Sequence, residues 1–417
     1  MTRIVIEGGR PLRGRVRVSG AKNATLAILC AAILADREVV LENVPDISDV
    51  RILLEIIGAL GMESQWLGED IVRIRPGEPR FLEAPYKLVK KLRASNLLLG
   101  PLLARYGRAR VALPGGCNIG SRPMDLHFKG LAGLGADLSL ESGYIIGRAG
   151  PLRGARVYLD FPSVGATENI MMAAVLAEGQ TVIENVAREP EVVDLANFLN
   201  SLGARIRGAG TDVIKIEGVK ALGERVRYAV IPDRIEAGTY MVAAAATHGD
   251  VVLENVIPTH FEPLSAKLRE AGVVVEADED RVRVASPGPL CPVNIKTMPY
   301  PGFATDMQSQ MMSMLSAVPG TSVIVENIFE NRFQVAQELR RMGARIKVEG
   351  RVAVVEGVPH LQGAPLKATD LRAAAALVIA GLMAEGRTEI CNVHFLDRGY
   401  RHLEARLAAL GAVIRRE

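Results

Sequence analysis

Apolar residues spaced three and four apart mark helices, and short apolar runs with strict alternation mark strands. Both signatures recur along this chain in one fixed order. Alanine- and leucine-rich stretches such as 24–34 and 170–176 predict a helix. A short strand follows and runs into a turn of nearly constant spelling. The four clearest copies are Val39-Val40-Leu41-Glu42-Asn43-Val44, Val182-Ile183-Glu184-Asn185-Val186, Val251-Val252-Leu253-Glu254-Asn255-Val256 and Val323-Ile324-Val325-Glu326-Asn327-Ile328. Next comes an amphipathic helix, as over 49–60 and 192–202, ending at a glycine suited to the left-handed position after a helix. Alternating residues such as 282–284 and 352–355 predict a closing hairpin. The terminating glycines are Gly61, Gly135, Gly203, Gly272, Gly343 and Gly411, at intervals of 74, 68, 69, 71 and 68 residues. That period defines six βαβαββ-like repeats.

Alternating strands and helices predict an α/β (α+β) architecture with helices packed under sheets. Three repeats approach the usual upper size of one core, so two domains of three repeats are expected. The stretch 223–232, between the third and fourth repeats, is the expected crossing point. An open solenoid is the alternative, but solenoid repeats are usually shorter and no capping repeats are evident.

Composition narrows the function classes. Of 417 residues, 49% are hydrophobic and 23% charged, the balance of a soluble globular protein. The net charge of +3 does not call for nucleic acid or an acidic membrane surface. The longest apolar stretch, 373–384, is too short to span a membrane, and no signal-peptide core follows Met1. Cys30, Cys117, Cys291 and Cys391 lie far apart, with neither zinc spacing nor a disulfide framework. A reducing cytoplasmic setting is expected.

The repeats break their own rule in the second unit. There the turn becomes Leu113-Pro114-Gly115-Gly116-Cys117-Asn118-Ile119-Gly120-Ser121-Arg122-Pro123-Met124-Asp125-Leu126-His127. A loop rich in glycine and proline predicts an exposed cysteine, and a nearby cation such as Arg122 lowers a thiol's pKa. An incidental surface thiol is the competing reading of the loop alone. His127 reads as a ligand contact or as a capping or packing residue. Where the first helix of each repeat begins, the chain carries Lys22-Asn23, Arg93-Ala94-Ser95, Ser163 to Thr167, Asp233 to Glu236, Thr305-Asp306 and Thr369-Asp370-Leu371-Arg372. Serine, threonine and aspartate there are ordinary caps. Lys22, Arg93 and Arg372 are not, because the helix dipole disfavours a cation at that end. They suggest an anionic ligand. Late turns add Arg332 and Arg398, each near an acid. Lys22, Arg93, Arg122 and Arg398 could together clamp phosphate and carboxylate. No phosphate-loop or dinucleotide fingerprint occurs, and the histidines form no metal-ligand pair.

These motifs resemble the enolpyruvyl transferases, and among them the UDP-N-acetylglucosamine 1-carboxyvinyltransferases. The likeness covers essentially the whole chain. It rests on Ser19 to Ala24, Lys91 to Ser95, Leu113 to His127, Ser163 to Thr167, Ala187 to Glu191, Pro232 to Glu236, Thr305 to Gln308, Phe329 to Phe333, Thr369 to Arg372 and Asp397 to Tyr400. The resemblance implies two inside-out α/β barrel domains, over 21–230 and over 1–20 plus 231–417, with the active site in the interdomain cleft under the cysteine loop. It implies phosphoenolpyruvate and UDP-N-acetylglucosamine as substrates, with no metal or organic cofactor, no nucleic acid and no membrane. Oligomeric state stays open.

By motif, Lys22 and Asn23 would meet phosphoenolpyruvate, and Arg122 and Arg398 would hold its phosphate and carboxylate. Arg93, Arg122, Pro123, Met124, Asp125, Leu126, Ser163, Val164, Asp306 and Ile328 would line the sugar-nucleotide site, with Asn23 nearby. Asp370 and Arg372 would organise the reacting centre. Phe161 stands where some relatives have lysine, so that nucleotide contact does not carry over. The reaction implied is addition followed by elimination in peptidoglycan synthesis. Cys117 would protonate the methylene carbon or mainly aid phosphate release; both roles are open. Asp306 would take the proton of the 3′-hydroxyl. Alkylation of Cys117 by fosfomycin is a further expectation. The rivals are a shikimate 3-phosphate enolpyruvyl transferase, which would have Lys-Ser where this chain has Lys22-Asn23, and a non-catalytic binding paralogue.

Overall fold

A helix without a polar face must be surrounded by protein. Helices Lys22–Ala31, Val164–Ala174, Arg234–Ala246, Gln308–Leu315 and Leu371–Met383 bury nearly every residue in a computed structural model of the chain. The structure describes residues 2–77, 82–113, 119 and 124–417. Contacts divide the chain into two units. The described residues of 20–117 and 122–231 form one, and those of 1–19, 118–121 and 232–417 form the other. Each has its own hydrophobic core.

In the C-terminal unit the helices Arg234–Ala246, Gln308–Leu315 and Leu371–Met383 pack on one another. Three four-stranded sheets accompany them. Alternation is clear in Arg281–Ala285, where Val282 and Val284 are buried while Arg281 and Arg283 are exposed. One sheet runs Val274–Ala277, Arg281–Ala285, Asp250–Glu254, Arg13–Arg17, and the last two strands are parallel. A second runs Ile295–Lys296, Thr321–Val325, Val352–Glu356, Arg345–Glu349. The third departs from a local hairpin. The strand Ile4–Glu7 lies antiparallel between Arg387–Cys391 and Val413–Arg416, so the two ends of the chain supply the hairpin of the sixth repeat.

In the N-terminal unit two sheets have four strands. One is Val226–Ala229, Val39–Glu42, Val72–Arg75, Glu63–Trp66; the other is Arg205–Arg207, Val213–Glu217, Gln180–Glu184, Arg156–Tyr158. The described residues of the second repeat form three strands, Arg108–Ala112, Tyr144–Ala149 and Ala136–Glu141. Among the described residues its fourth partner is a single parallel bridge from Glu83 to Arg110.

The repeated turn has a physical basis. Asn43, Asn185, Asn255 and Asn392 adopt φ of 56 to 60°, the left-handed region that asparagine tolerates better than most residues. Each side-chain amide then donates to a carbonyl just past the adjacent parallel strand: Val230, Leu159, Val18 and Ala368, at 2.7 to 3.3 Å. Asn327 donates likewise to Thr297 at 3.1 Å without a positive φ. One residue thus turns the chain and ties the strand ends. The six helix-ending glycines all have φ between 92 and 107°.

Candidate active site

In the C-terminal unit Asp306 sits in the 3-10 turn Thr305–Met307, just before Gln308–Leu315. Its Oδ1 accepts from Arg332 Nη2 at 2.7 Å. Its Oδ2 accepts from Arg372 Nη2 at 2.8 Å and from Arg372 Nε at 3.1 Å. Burial alone would push the Asp306 carboxyl up. The charges and hydrogen bonds of Arg372 and Arg332 outweigh it and hold the carboxyl well below the usual carboxylate range. The two arginines are 4% and 3% exposed, while the Asp306 side chain is 26% exposed and therefore reachable.

Arg332 Nε and Nη1 are buried with no acceptor among the described residues. Such donors are costly to leave unmatched. Two guanidinium groups around one carboxylate leave a net positive, donor-rich centre suited to a carboxylate or phosphate ligand. In the sequence Arg332 stands out only as one of two late-turn arginines with acids nearby. Its chain neighbour there, Glu330, is not the acid it bonds; the partner is Asp306, 26 residues earlier.

The supports are local. Glu326, fully buried, accepts from Thr305 Oγ1 at 2.9 Å and from Thr297 Oγ1 at 2.8 Å. It also accepts from the Ile328 N–H at 2.8 Å. It thereby fixes the residue before Asp306 and the turn carrying Ile328. Asp370 caps Leu371–Met383, accepting from the N–H groups of Arg372 and Ala373 at 2.9 and 3.0 Å. Arg398, partly buried, ends the 3-10 helix Val393–Arg398. Arg372 stands in a position that the helix dipole disfavours, and Asp306 offsets its charge.

In the N-terminal unit Lys22 opens its helix and lies 3.2 Å from Asp49, whose side chain is buried. Asn23 beside it is exposed. A Cβ at Gly20 would stand 1.6 Å from the Asn43 carbonyl oxygen, so only glycine lets the chain enter the Lys22 helix here. Arg93 starts the turn Arg93–Leu98. Ser163 caps the helix that begins at Val164, its Oγ accepting from the Ala166 N–H at 3.3 Å. Met124 precedes the helix Asp125–Gly133, where Asp125 suits the helix N-terminus and Leu126 is partly buried. Cys117, Arg122 and Pro123 lie outside the described residues.

His127 is a packing residue, 5% exposed. The Gly100 N–H donates to Asn169 Oδ1 at 2.7 Å, which fixes the orientation of that amide. Asn169 Nδ2 then donates to Asn96 O at 2.8 Å and to His127 Nδ1 at 2.9 Å. The ring proton is therefore on Nε2. Burial, and next the Arg93 charge, push the His127 pKa down to about 4 against the pull of Asp125. The ring is neutral near pH 7 and joins the segments that carry Arg93, Asp125 and Ser163.

Residues 6–407 match the family described as EPSP synthase (3-phosphoshikimate 1-carboxyvinyltransferase). The chain is 58% identical to UDP-N-acetylglucosamine 1-carboxyvinyltransferase 2 of Carboxydothermus hydrogenoformans, over 100% of this chain and 99% of that one. It is 56% identical to UDP-N-acetylglucosamine 1-carboxyvinyltransferase 1 of Caldanaerobacter subterraneus, over 100% of both chains. Among solved structures it is similar to the enolpyruvyl transferase NikO from Streptomyces tendae, with a TM-score of 0.90 and 31% identity over 100% of this chain and 98% of that one. EPSP synthase from Acinetobacter baumannii shares the fold, with a TM-score of 0.79 and 21% identity over 100% of both chains.

Proposed function

The chain belongs to the EPSP synthase family of carboxyvinyltransferases, among the UDP-N-acetylglucosamine 1-carboxyvinyltransferases, and on that premise we propose that it transfers the enolpyruvyl group of phosphoenolpyruvate to the 3′-hydroxyl of UDP-N-acetylglucosamine. Phosphate is released, and the reaction is the first committed step of peptidoglycan synthesis. The observation that carries this reading is identity of 53 to 58% over essentially full length to relatives of that name. The shikimate alternative is supported by the description of the matched family and by a likeness of fold at 21% identity.

The roles follow the chemistry. Protonation of the methylene carbon makes the second carbon of phosphoenolpyruvate electrophilic; Cys117 is either the acid of that step or mainly an aid to phosphate release. The 3′-oxygen attacks that carbon and its proton passes to Asp306. The arginine pair makes Asp306 a weak base at rest. Attack on a cationic carbon acidifies the hydroxyl, which supplies the driving force for transfer. The tetrahedral ketal then loses phosphate, which carries off the proton held by Asp306, and returns a proton from the new methyl group to the acid that supplied it, restoring the vinyl bond. Arg332, Arg372, Arg398, Lys22 and Arg122 counter the negative charge of substrate and leaving group. Arg93, Asn23, Pro123, Met124, Asp125, Leu126, Ser163, Val164 and Ile328 are assigned to the sugar nucleotide, and Asp370 to holding Arg372 in place. The two units are assigned as domains over 21–230 and 1–20 plus 231–417. A cytoplasmic setting, a part in cell shape and division, and sensitivity to fosfomycin belong to the same reading; no described helix is long and apolar enough to cross a membrane.

The test is phosphate release from phosphoenolpyruvate with and without the sugar nucleotide, for the intact protein and for Cys117→Ser. Release that needs both substrates and falls by about 100-fold or more in the variant is expected. Release with shikimate 3-phosphate instead would overturn the assignment.

A further inference from the structure

Asp306 is an acceptor with about four lone-pair positions. Three are filled: two on Oδ2 by Arg372 Nη2 and Nε, and one on Oδ1 by Arg332 Nη2. The remaining position on Oδ1 is the one a substrate hydroxyl needs. The arrangement depends on Arg372 keeping its Nε–Nη2 edge on a single oxygen. A free guanidinium fork tends to span both oxygens of a carboxylate.

What restrains Arg372 is its third nitrogen. Arg372 Nη1 donates to the Tyr400 hydroxyl oxygen at 3.2 Å. That hydroxyl lies 2.9 Å from Thr239 Oγ1. Thr239 already gives its one proton to the Ile235 carbonyl at 2.8 Å and accepts from Gln310 Nε2 at 3.3 Å. Tyr400 must therefore be the donor to Thr239, which leaves its oxygen to accept from Arg372. The direction of every proton in the chain is fixed, from Arg372 through Tyr400 and Thr239 to the backbone of Arg234–Ala246. Tyr400 and Thr239 are 3% and 2% exposed, so water does not compete. Gly399 lets the segment come this close: a Cβ there would meet Leu371 Cδ2 at 2.7 Å.

We infer that Tyr400 is a positioning residue whose hydroxyl holds Arg372 on one oxygen of Asp306, so that the other keeps a lone pair for the acceptor hydroxyl. The inference rests on the reading of Asp306 as the base. Tyr400 touches no reacting atom, and its effect falls on turnover rather than on substrate binding.

Tyr400→Phe keeps the ring, whose centroid lies 5.7 Å from the Arg372 guanidinium carbon, and removes only the hydroxyl. Steady-state phosphate release is expected to show kcat lowered about tenfold, with KM for each substrate within about twofold of wild type. Thr239→Val is expected to lower kcat in the same direction by less, and the double variant to be no slower than Tyr400→Phe alone, since both act through one chain. Wild-type kcat in Tyr400→Phe overturns the proposal, as does a change confined to KM or to melting temperature. Should Tyr400→Phe fail to fold, wild-type kcat in Thr239→Val overturns it equally. Asp306→Asn, run alongside, separates the two levels. An active Asp306→Asn removes the base reading and this proposal with it. An inactive one beside a fully active Tyr400→Phe removes the role of Tyr400 alone.

Discussion

His127 shows at the scale of one residue how burial and hydrogen bonding settle a protonation state. Its neighbours in sequence suggested either a ligand contact or a packing role, and the Asn169 amide decides for packing with the proton on Nε2. The consequence is pH-dependent stability. The folded pKa of about 4 lies below the 6.5 of an exposed histidine. As pH falls from 6.5 toward 4, the unfolded chain takes up a proton that the folded chain refuses, so stability is lost in that window. The loss amounts to about 3 kcal/mol by the pKa difference. Urea midpoints at pH 7 and pH 4.5 should fall further for wild type than for His127→Asn. Equal falls would show that His127 is not the group responsible.

At the scale of the element, the informative residue is the asparagine that follows a strand at Asn43, Asn185, Asn255 and Asn392. Its left-handed φ and its amide bond are separable contributions. Asn185→Gly keeps access to φ 56° and loses the bond to Leu159, an expected cost of about 1 kcal/mol. Asn185→Ala loses the bond and adds the left-handed penalty, for a total of about 2 kcal/mol. Chemical denaturation of both variants checks the order, and alanine no worse than glycine would show that φ is not a constraint here. The second repeat has no such asparagine, since Leu113-Pro114 stands in its place, and among the described residues its sheet has three strands rather than four.

At the scale of the whole molecule, three of the repeats are completed by a distant segment. Val226–Ala229 pairs with Val39–Glu42, Arg13–Arg17 with Asp250–Glu254, and Ile4–Glu7 closes the sheet of the sixth repeat. Ile4, Val5 and Ile6 are fully buried, and Arg3 bonds Glu389 and Glu417 at 2.7 and 2.8 Å. Removal of residues 2–8 would strip a central strand and leave two unpaired edges. The shortened chain is expected to lose protease resistance throughout 232–417. Wild-type resistance there would show that the strand is dispensable.

The sequence by itself determined the repeat, the helix and strand order, the α/β class and the residue types of the candidate site. Those are local facts of periodicity, turn chemistry and motif. Lys22 and Arg372 were legible because a cation is disfavoured where a helix begins, whereas Asp306, Asp370 and Arg398 were legible through the family resemblance. Only the tertiary structure decided their partners: that Arg332 and Arg372 share Asp306, that Lys22 leans on Asp49, and that Tyr400 and Thr239 stand behind Arg372. These contacts join residues 26, 66, 27, 28 and 161 positions apart. Periodicity has no reach over such separations. Which side chains meet was settled by close packing of the inner helices, where the buried charges Asp306, Arg332 and Arg372 found one another.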